Sequence, residues 1–349
     1  MTTLGGGQRE RFETPRPISR SFRQASRPRL CYLRGMSQQQ RLAIGLLCGL
    51  VAGAFWGGVF LAPKLLHAFT PLQMTAGRYL CYGLASAALL APVARKVLGR
   101  LTLADWRDLA GLSLLGNIVY YVCLAVSVQI AGVAPASLII GLLPVTITLV
   151  GAKPGEGVAL RRLAAPLLLV GAGVACINVA ALQTASGGGV GRLVLGLLAA
   201  VGALAVWTIY AVWNARRLAA TPRFNSHEWS LLTGVVTGLL SLLLVVPAFL
   251  GGMPHIPNAW ALFWGVSLAV ALGASVIGNG LWNAASRLLP LSLSGQLIVF
   301  ETLFALIYGF LHEARWPQPL EAAAIVLMLA GVLWSVHLHR PDAEAHPTE

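Results

Sequence analysis

The sequence predicts an all-α polytopic membrane protein with ten transmembrane helices, arranged as two inverted repeats of five. Three observations lead to this prediction: the composition, a succession of apolar runs of spanning length, and short motifs that recur in the second half. Of the 349 residues, 57% are hydrophobic and 11% are charged, and the mean hydropathy is +0.74. A soluble chain of this size could not cover its surface with so few charges, whereas a membrane protein needs charges only in its loops.

The net charge of +13 fits a membrane protein better than a nucleic-acid-binding one. Basic residues hold loops on the cytoplasmic side of a membrane, and the apolar runs leave no room for a nucleic-acid domain. The five cysteines stand singly, and no histidine lies at ligand spacing from a cysteine or a carboxylate. We therefore expect no disulfide, no metal site and no cofactor.

Ten apolar runs set the domain organisation. They lie near residues 42–63, 72–94, 106–128, 134–152, 163–182, 193–214, 229–250, 260–284, 291–311 and 319–338. Continuous runs of about twenty apolar residues are typical of spanning helices rather than of barrel strands. The predicted domains are a disordered basic cytoplasmic tail over 1–40, a first repeat over 41–182, an outer linker over 183–192, a second repeat over 193–339 and a cytoplasmic tail over 340–349. Met36, just before the first run, is an alternative start of translation.

The distribution of lysine and arginine predicts the orientation. With the N-terminus inside, 21 of the 25 basic residues fall in cytoplasmic segments, and only Lys64, Arg192 and Arg315 fall outside. Cytoplasmic loops carry this excess in membrane proteins. We therefore expect both termini in the cytoplasm, as an even number of spans also requires.

Short motifs of the first half recur in order in the second half. The matched pairs are Phe55-Trp56 with Val206-Trp207, Gly116-Asn117 with Gly278-Asn279, 137–152 with 295–310, Gly155-Glu156 with His312-Glu313, and 172–174 with 330–332. Because five spans are an odd number, the second half enters the membrane from the opposite side. Inverted repeats of this kind indicate a carrier whose substrate site lies near the midplane, between the halves.

Longer stretches resemble a known family. The first half contains FWGGVFLAPKLL, GRYL, PASLIIGLLPV and GEG, and the second contains LWNAASRLLPLSLSGQLIVFET, HEARW and MLAGVLW. Both halves, over residues 42–339, resemble the EamA-type repeats of the drug/metabolite transporter (DMT) superfamily. The resemblance implies a ten-helix carrier of the bacterial inner membrane, often an exporter of amino acids, other metabolites or drugs. The chain departs from the family pattern at Thr302, where a proline usually follows the glutamate. It also departs at Leu143, which is the equivalent of Glu301 in the first half and is followed by Pro144.

Three helix faces carry the candidate substrate contacts. Trp56, Phe60 and Lys64 lie at i, i+4 and i+8 on the first run. A tryptophan deep in a run either offers a stacking wall to a substrate or packs in the core, and Lys64 either reaches water at the outer end or contacts a solute there. The other candidates are amide and aromatic residues: Asn117, Tyr120, Tyr121, Trp207, Tyr210, Asn279, Trp282, Asn283 and Gln296. Each serves either an interhelical hydrogen bond or a polar cavity at the midplane.

Glu301 is the one charge within the ninth run. A charged side chain at the bilayer centre costs about 2.5–3.5 kcal/mol on the insertion scale, so we expect it to have a role. It is a structural hydrogen-bonding group, a contact for a substrate amine, or a proton-coupling site. Arg78, in the second run, must likewise pair, reach water or bind an anion. We hypothesise that Arg78 pairs with Glu301.

These features predict a secondary active or facilitative transporter that exports a small metabolite, amino acid or drug by alternating access. Its partners would be the solute, the lipid bilayer and, for a coupled carrier, protons. Uptake on the same scaffold is the first alternative, and an intramembrane enzyme or a membrane scaffold without transport activity are alternatives of other classes. Against an enzyme, the sequence has no HExxH motif and no paired carboxylates with a histidine at membrane depth. The sequence does not indicate the substrate, the coupling ion or the oligomeric state.

Overall fold

The computed structural model describes residues 36–151, 160–184, 190–250, 252 and 258–338. Within these residues the chain is helical and contains no strand. In chain order the described helical runs are α1, Gln38–Leu65; α2, Pro71–Leu98; α3, Leu103–Ala131; α4, Val133–Ile140 continued by Leu143–Gly151; α5, Leu160–Thr184; α6, Val190–Ala220; α7, Ser226–Phe249; α8, Ala259–Leu288; α9, Leu291–Gln296 continued by Val299–His312; and α10, Pro319–Leu338. Residues 1–35 of the predicted N-terminal tail, residues 185–189 of the predicted outer linker and the whole predicted C-terminal tail lie outside the described residues.

Eight of the described runs are long and apolar enough to cross a membrane, namely α1 to α3 and α6 to α10. This confirms the prediction of an all-α polytopic membrane protein. The side chains of α4 and α5 are described only in part, so the count of ten transmembrane helices stays a prediction.

Four helices begin with a capping box, which fixes where each loop ends. The capping residues are Ser37, Thr70, Thr102 and Asn225. In α2, for example, Gln73 N donates to Thr70 Oγ1 at 3.2 Å, and Thr70 N donates to Gln73 Oε1 at 2.9 Å. The box satisfies two backbone donors at a helix start that would otherwise lack partners.

Helices from the two halves pack against each other throughout. The pairs are α2 with α7, α5 with α10, α3 with α6, α4 with α9, and α1 with both α8 and α9. On α1 the GxxxG pair lies against α9, since a Cβ at Gly53 would stand 2.6 Å from Phe300 Cβ and one at Gly57 would stand 2.7 Å from Ala305 N. Glycines at this spacing allow two helices to approach closely.

Several helices are interrupted near their middle. The helix α4 breaks at Gly141 and Leu142, and α9 breaks at Leu297 and Ile298. Around the α9 break Ile298 N donates to Gly295 O at 3.3 Å and Glu301 N donates to Ile298 O at 2.9 Å, which are tighter i→i−3 bonds. The predicted span near 291–311 is confirmed as α9, Leu291–His312, which is long and apolar enough to cross a membrane. Within it the chain forms two helical segments with a tight turn between them. The helices α3 and α8 each contain a π-helical stretch, at Leu114–Val119 and Ala271–Gly278.

Candidate functional site

Five of the predicted aromatic residues meet in one buried group, which we call the aromatic cluster: Trp56, Tyr120, Trp207, Tyr210 and Trp282. The three indoles form a triangle with ring centroids 5.4, 5.7 and 5.9 Å apart. The rings of Tyr120 and Tyr210 lie 6.2 and 5.6 Å from that of Trp207. These separations are typical of tilted and edge-to-face aromatic contacts. The helices α1 and α3 supply two members and α6 and α8 the other three, so both halves build the cluster.

The indole nitrogens of the aromatic cluster differ in their bonding. Trp56 Nε1 donates to the carbonyl oxygen of Ala274 at 3.0 Å, within the π-helical stretch of α8. Trp282 Nε1 is buried and has no hydrogen-bond partner among the described residues. A buried indole N–H usually has a partner, so Trp282 Nε1 is a candidate for contact with a solute.

The predicted asparagines make bonds within the protein. The Asn117 carbonyl oxygen accepts from Tyr79 Oη at 2.9 Å, and its side-chain Nδ2 donates to Thr237 Oγ1 at 3.2 Å. Asn283 Oδ1 accepts from Asn214 Nδ2 at 2.8 Å. The Asn117 amide therefore joins helices of opposite halves, α3 and α7. The Asn283 amide joins α8 to α6 within the second half. Both make interhelical hydrogen bonds, the first of the two roles that the sequence left open.

Asn279 lies half-buried on α8, where its side chain is a hydrogen-bonding neighbour of the Tyr82 hydroxyl. That hydroxyl also donates to the carbonyl oxygen of Ser230 at 3.0 Å. Asn279 thus joins the polar contacts around the crossing of α2 and α7.

Arg78 is 7% exposed and lies between α8 and α3. Its Nε and Nη2 donate to Ser275 Oγ at 3.2 and 3.1 Å, and its guanidinium lies 5.0 and 4.4 Å from the ring centroids of Tyr79 and Tyr121. Its Nη1 has no partner in the described part of the chain. Arg78 acts electrostatically on Glu301, but no direct ion pair joins these two described side chains. The hypothesis of a functional pair stays a prediction.

Glu301 is 5% exposed and lies in the first turn of the segment Val299–His312. The backbone amides around the break are themselves bonded, since Phe300 N donates to Leu297 O at 3.0 Å and Glu301 N donates to Ile298 O at 2.9 Å. No hydrogen bond or ion pair to the Glu301 carboxylate is present among the described residues, so the carboxylate remains open to a solute or a proton.

Gln296 ends the first segment of α9, directly before the break. Its side chain is fully buried, and neither Oε1 nor Nε2 has a partner among the described residues. Leaving a buried polar group unpaired costs about 1–3 kcal/mol. An amide kept at this cost, beside a helix break, is a candidate for contact with a solute.

Phe60 and Lys64 lie outside the aromatic cluster. Phe60 is buried in the apolar core, and Lys64 Nζ pairs with Glu313 Oε1 at 2.8 Å, with side chains 34% and 38% exposed. Glu313 Oε2 also accepts from Arg315 Nε at 2.7 Å. Hydrogen bonds from Lys64 and Arg315 lower the pKa of the Glu313 carboxyl below its ordinary value. Lys64 thus joins the end of α1 to the end of α9.

The sequence did not reveal a charged group at the opposite end of the bundle, which we call the Asp105 cluster: Asp105, Arg217, Arg223, Arg100 and Glu228. The Asp105 side chain is fully buried, pairs with Arg217 Nη2 at 2.9 Å and also pairs with Arg223. Arg100 Nη2 pairs with Glu228 Oε1 at 2.6 Å. The signal available in the sequence was the spacing Thr102-x-x-Asp105 and Asn225-x-x-Glu228, which places each carboxylate at a helix start.

Comparisons with known proteins agree with this architecture. The model of the EamA-like transporter family matches residues 43–179. The inner membrane protein YtfF of Escherichia coli (strain K12) is 33% identical over 309 residues, which cover 84% of this chain and 94% of the relative. A crystal structure of a protein at 22% identity aligns with a TM-score of 0.66 over 85% of this chain and 99% of its own. At that identity the last match shows a shared fold.

The identity to the inner membrane protein extends over nearly the whole of both proteins, and it accompanies the eight apolar helices. The family model covers the first predicted repeat. The chain therefore belongs to the EamA-like transporter family, within the drug/metabolite transporter superfamily.

Proposed function

We propose that this protein is a carrier that moves a small amphipathic or zwitterionic solute across the cytoplasmic membrane by alternating access, in the direction of export. The observation that carries the proposal is the aromatic cluster, which both halves build. One of its members, Trp282, has a buried Nε1 without a partner among the described residues, as do Arg78 Nη1 and the Gln296 amide elsewhere in the bundle. Aromatic walls with a few polar groups are typical of small-molecule sites.

Reciprocal contacts support an inverted arrangement of two repeats. A Cβ at Gly173 in α5 would lie 2.7 Å from Met328 Cγ in α10, and a Cβ at Gly331 in α10 would lie 2.8 Å from Val170 Cγ2 in α5. Each glycine thus faces the residue three positions before the other glycine. Such an exchange of roles is what an isologous, two-fold contact requires.

The crossing of α2 and α7 has the same character. Gly83 and Gly238 each stand thirteenth in their helix, and the Cα of each occupies the space that a side chain on the other would need. Three residues after Gly83, Ser86 meets Gly234, since a Cβ at Gly234 would collide with Ser86 Oγ, so later residues of α2 meet earlier residues of α7. Corresponding helices that run antiparallel are expected if the second half enters the membrane from the opposite side.

The orientation is tested with tags. We expect a tag in the loop around Gly188 outside the cell and one in the loop around Pro222 inside, with both termini inside. Selective labelling of intact cells reads each tag. Both loops on one face would contradict the inverted threading.

The charged groups suggest the solute and the coupling. Arg78 Nη1 suits an anionic group and the Glu301 carboxylate suits an amine or a proton. In this proposal Glu301 is protonated from one side and deprotonated to the other, so the proton gradient drives export. The coupling requires no group beyond those of the chain itself.

The test of the carrier is counterflow in proteoliposomes loaded with candidate amino acids, other metabolites or drugs, chosen by a thermal-shift screen. We expect uptake of labelled solute by the wild-type protein and its loss in Trp56→Ala. Trp316→Ala is the matched control, because that indole is 90% exposed and lies outside the aromatic cluster. A carrier whose counterflow is unaffected by Trp56→Ala would contradict the proposed site.

A further inference from the structure

The loops α1–α2 and α6–α7 have the same local design, and each follows the first helix of its half. In each, a phenylalanine precedes the capping residue of the next helix, at Phe69 before Thr70 and at Phe224 before Asn225. A hydrophobic residue at this position fixes the direction in which the chain enters the helix. The two loops are therefore structural counterparts, and their contacts can be compared one by one.

The α6–α7 loop is held to the first half by charges. Asp105, at the start of α3, is fully buried and binds Arg217 of α6 and Arg223 of the loop. The guanidinium carbons of Arg100 and Arg223 lie 5.0 and 5.3 Å from the centre of the Phe224 ring. The contact across the halves at this end is thus the Asp105 cluster.

The α1–α2 loop is held to the second half by aromatic rings. The Phe69 ring lies 4.5 Å from that of Phe263 and 5.2 Å from that of Trp260, both at the start of α8. We call these three residues the Phe69 cluster. The ion pair Lys64–Glu313 near the same loop is about one-third exposed, and exposed pairs contribute little. The contact across the halves at this end is therefore mainly apolar.

A carrier that exposes its central site to one side at a time must separate the halves at one end while the other stays closed. The helix α3 is the third helix of the first half and α8 is the third helix of the second half. Each cluster lies at the start of one of these two helices, so the two clusters occupy corresponding positions. In this structure both clusters are formed, which is the arrangement of a carrier closed at both ends.

We propose that the Asp105 cluster and the Phe69 cluster are the two gates of the carrier, one ionic and one aromatic, each controlling the opening of its own end. The inference rests on the proposed transport function. Because the gates differ in chemistry, the two ends respond to different perturbations. Loss of a charge in the Asp105 cluster favours opening at that end alone. High salt does the same, because it screens the charges that are exposed once the ionic gate is open. Loss of a ring favours opening at the Phe69 end alone.

The chain contains matched reporters for the two gates. Phe69 N donates to Leu66 O at 2.9 Å, and Phe224 N donates to Thr221 O at 3.3 Å. Each amide exchanges its hydrogen only when its loop opens. Hydrogen exchange of the full-length protein in lipid nanodiscs, read by mass spectrometry over 66–74 and 221–229, therefore measures both gates at once.

We expect Asp105→Asn to speed exchange in 221–229 by about tenfold or more, because bonds to a charged group are lost, with 66–74 unchanged. Phe69→Ala should do the reverse. Raising the salt concentration from about 0.01 M to about 1 M should act on 221–229 only. Glu313→Gln is the control, since it removes an exposed charge at the Phe69 end and should leave both loops unchanged.

Equal acceleration of both loops by Asp105→Asn, or no change in 221–229, would overturn the assignment. Glu228→Gln gives a milder version of the same test if Asp105→Asn does not fold, because it removes the second carboxylate of the cluster. Counterflow is measured on the same variants. If counterflow persists but the loop-specific response is absent, the assignment of the gates is refuted and the carrier function is not. If the wild-type protein shows no counterflow, the carrier function itself is refuted.

Discussion

The helices α4 and α9 share a design but differ in chemistry. Both break near the middle, and they pack against each other, with Gly295 against Ile147 and Gly151 against Leu291. After the break α4 continues with the fully buried Leu143, whereas α9 carries Glu301 in its first turn. The backbone arrangement is thus repeated and the polar groups are not.

The polar side chains of the two helices also differ in their bonding. In α4, Thr146 Oγ1 bonds Thr208 Oγ1 at 2.8 Å and Thr148 Oγ1 donates to the Pro144 carbonyl oxygen at 2.7 Å. In α9, Gln296 has no partner among the described residues. Discontinuous helices in carriers line the substrate and ion sites. We therefore expect a structural role for α4 and the chemical role in α9.

The largest effect is expected at Glu301. Glu301→Gln should abolish the response of transport to an imposed pH gradient, because an amide cannot release a proton or carry its charge. The assay is solute accumulation in proteoliposomes with the gradient present and absent. The matched control is Leu143→Met on α4, which should leave both unchanged. Gradient-driven transport by Glu301→Gln would contradict proton coupling through α9.

The second effect concerns the electrostatic link between α9 and Arg78. If Arg78 and Glu301 stabilise each other, Arg78→Ala and Glu301→Ala should show a coupling energy of about 0.5–3 kcal/mol, with the double variant less impaired than the sum. The measurement is the free energy of unfolding in detergent for the wild type and all three variants. Additivity within about 0.5 kcal/mol would show that the two residues act independently.

The third effect has an unusual sign. Gln296→Leu should stabilise the protein by about 1–3 kcal/mol, because it removes two buried polar atoms that lack partners. If Gln296 also contacts the solute, transport should fall while stability rises. Asn283→Leu is the control, and it should destabilise, since it leaves the Asn214 amide group without its acceptor. A loss of stability in Gln296→Leu would mean that the amide is satisfied in the folded protein.

The sequence predicted the eight apolar helices of spanning length but not the break in α9. The apolar runs and the repeated Trp56 and Trp207 positions were readable because hydrophobic periodicity is local. The break at Leu297 and Ile298 was not, since neither residue is a glycine or a proline and packing in the folded bundle decides the interruption. The burial of Asp105 was equally hidden, because its arginine partners come from a segment more than a hundred residues away.

The smallest effect concerns the far end of α9, where Glu313 joins Lys64 of α1. Hydrogen bonds from Lys64 and Arg315 lower the pKa of this carboxyl in the folded state below its ordinary value of 4.5. Stability from the contact is therefore present above about pH 4.5 and is lost as the pH falls through the lowered value. Thermal unfolding across this acid range should show a shallower loss of stability in Glu313→Gln than in the wild type. An unchanged acid slope would mean that the contact adds no stability, and α9 would then be held to α1 by the packing at Gly53 and Gly57 and by the bond from Tyr308 Oη to Ala54 O.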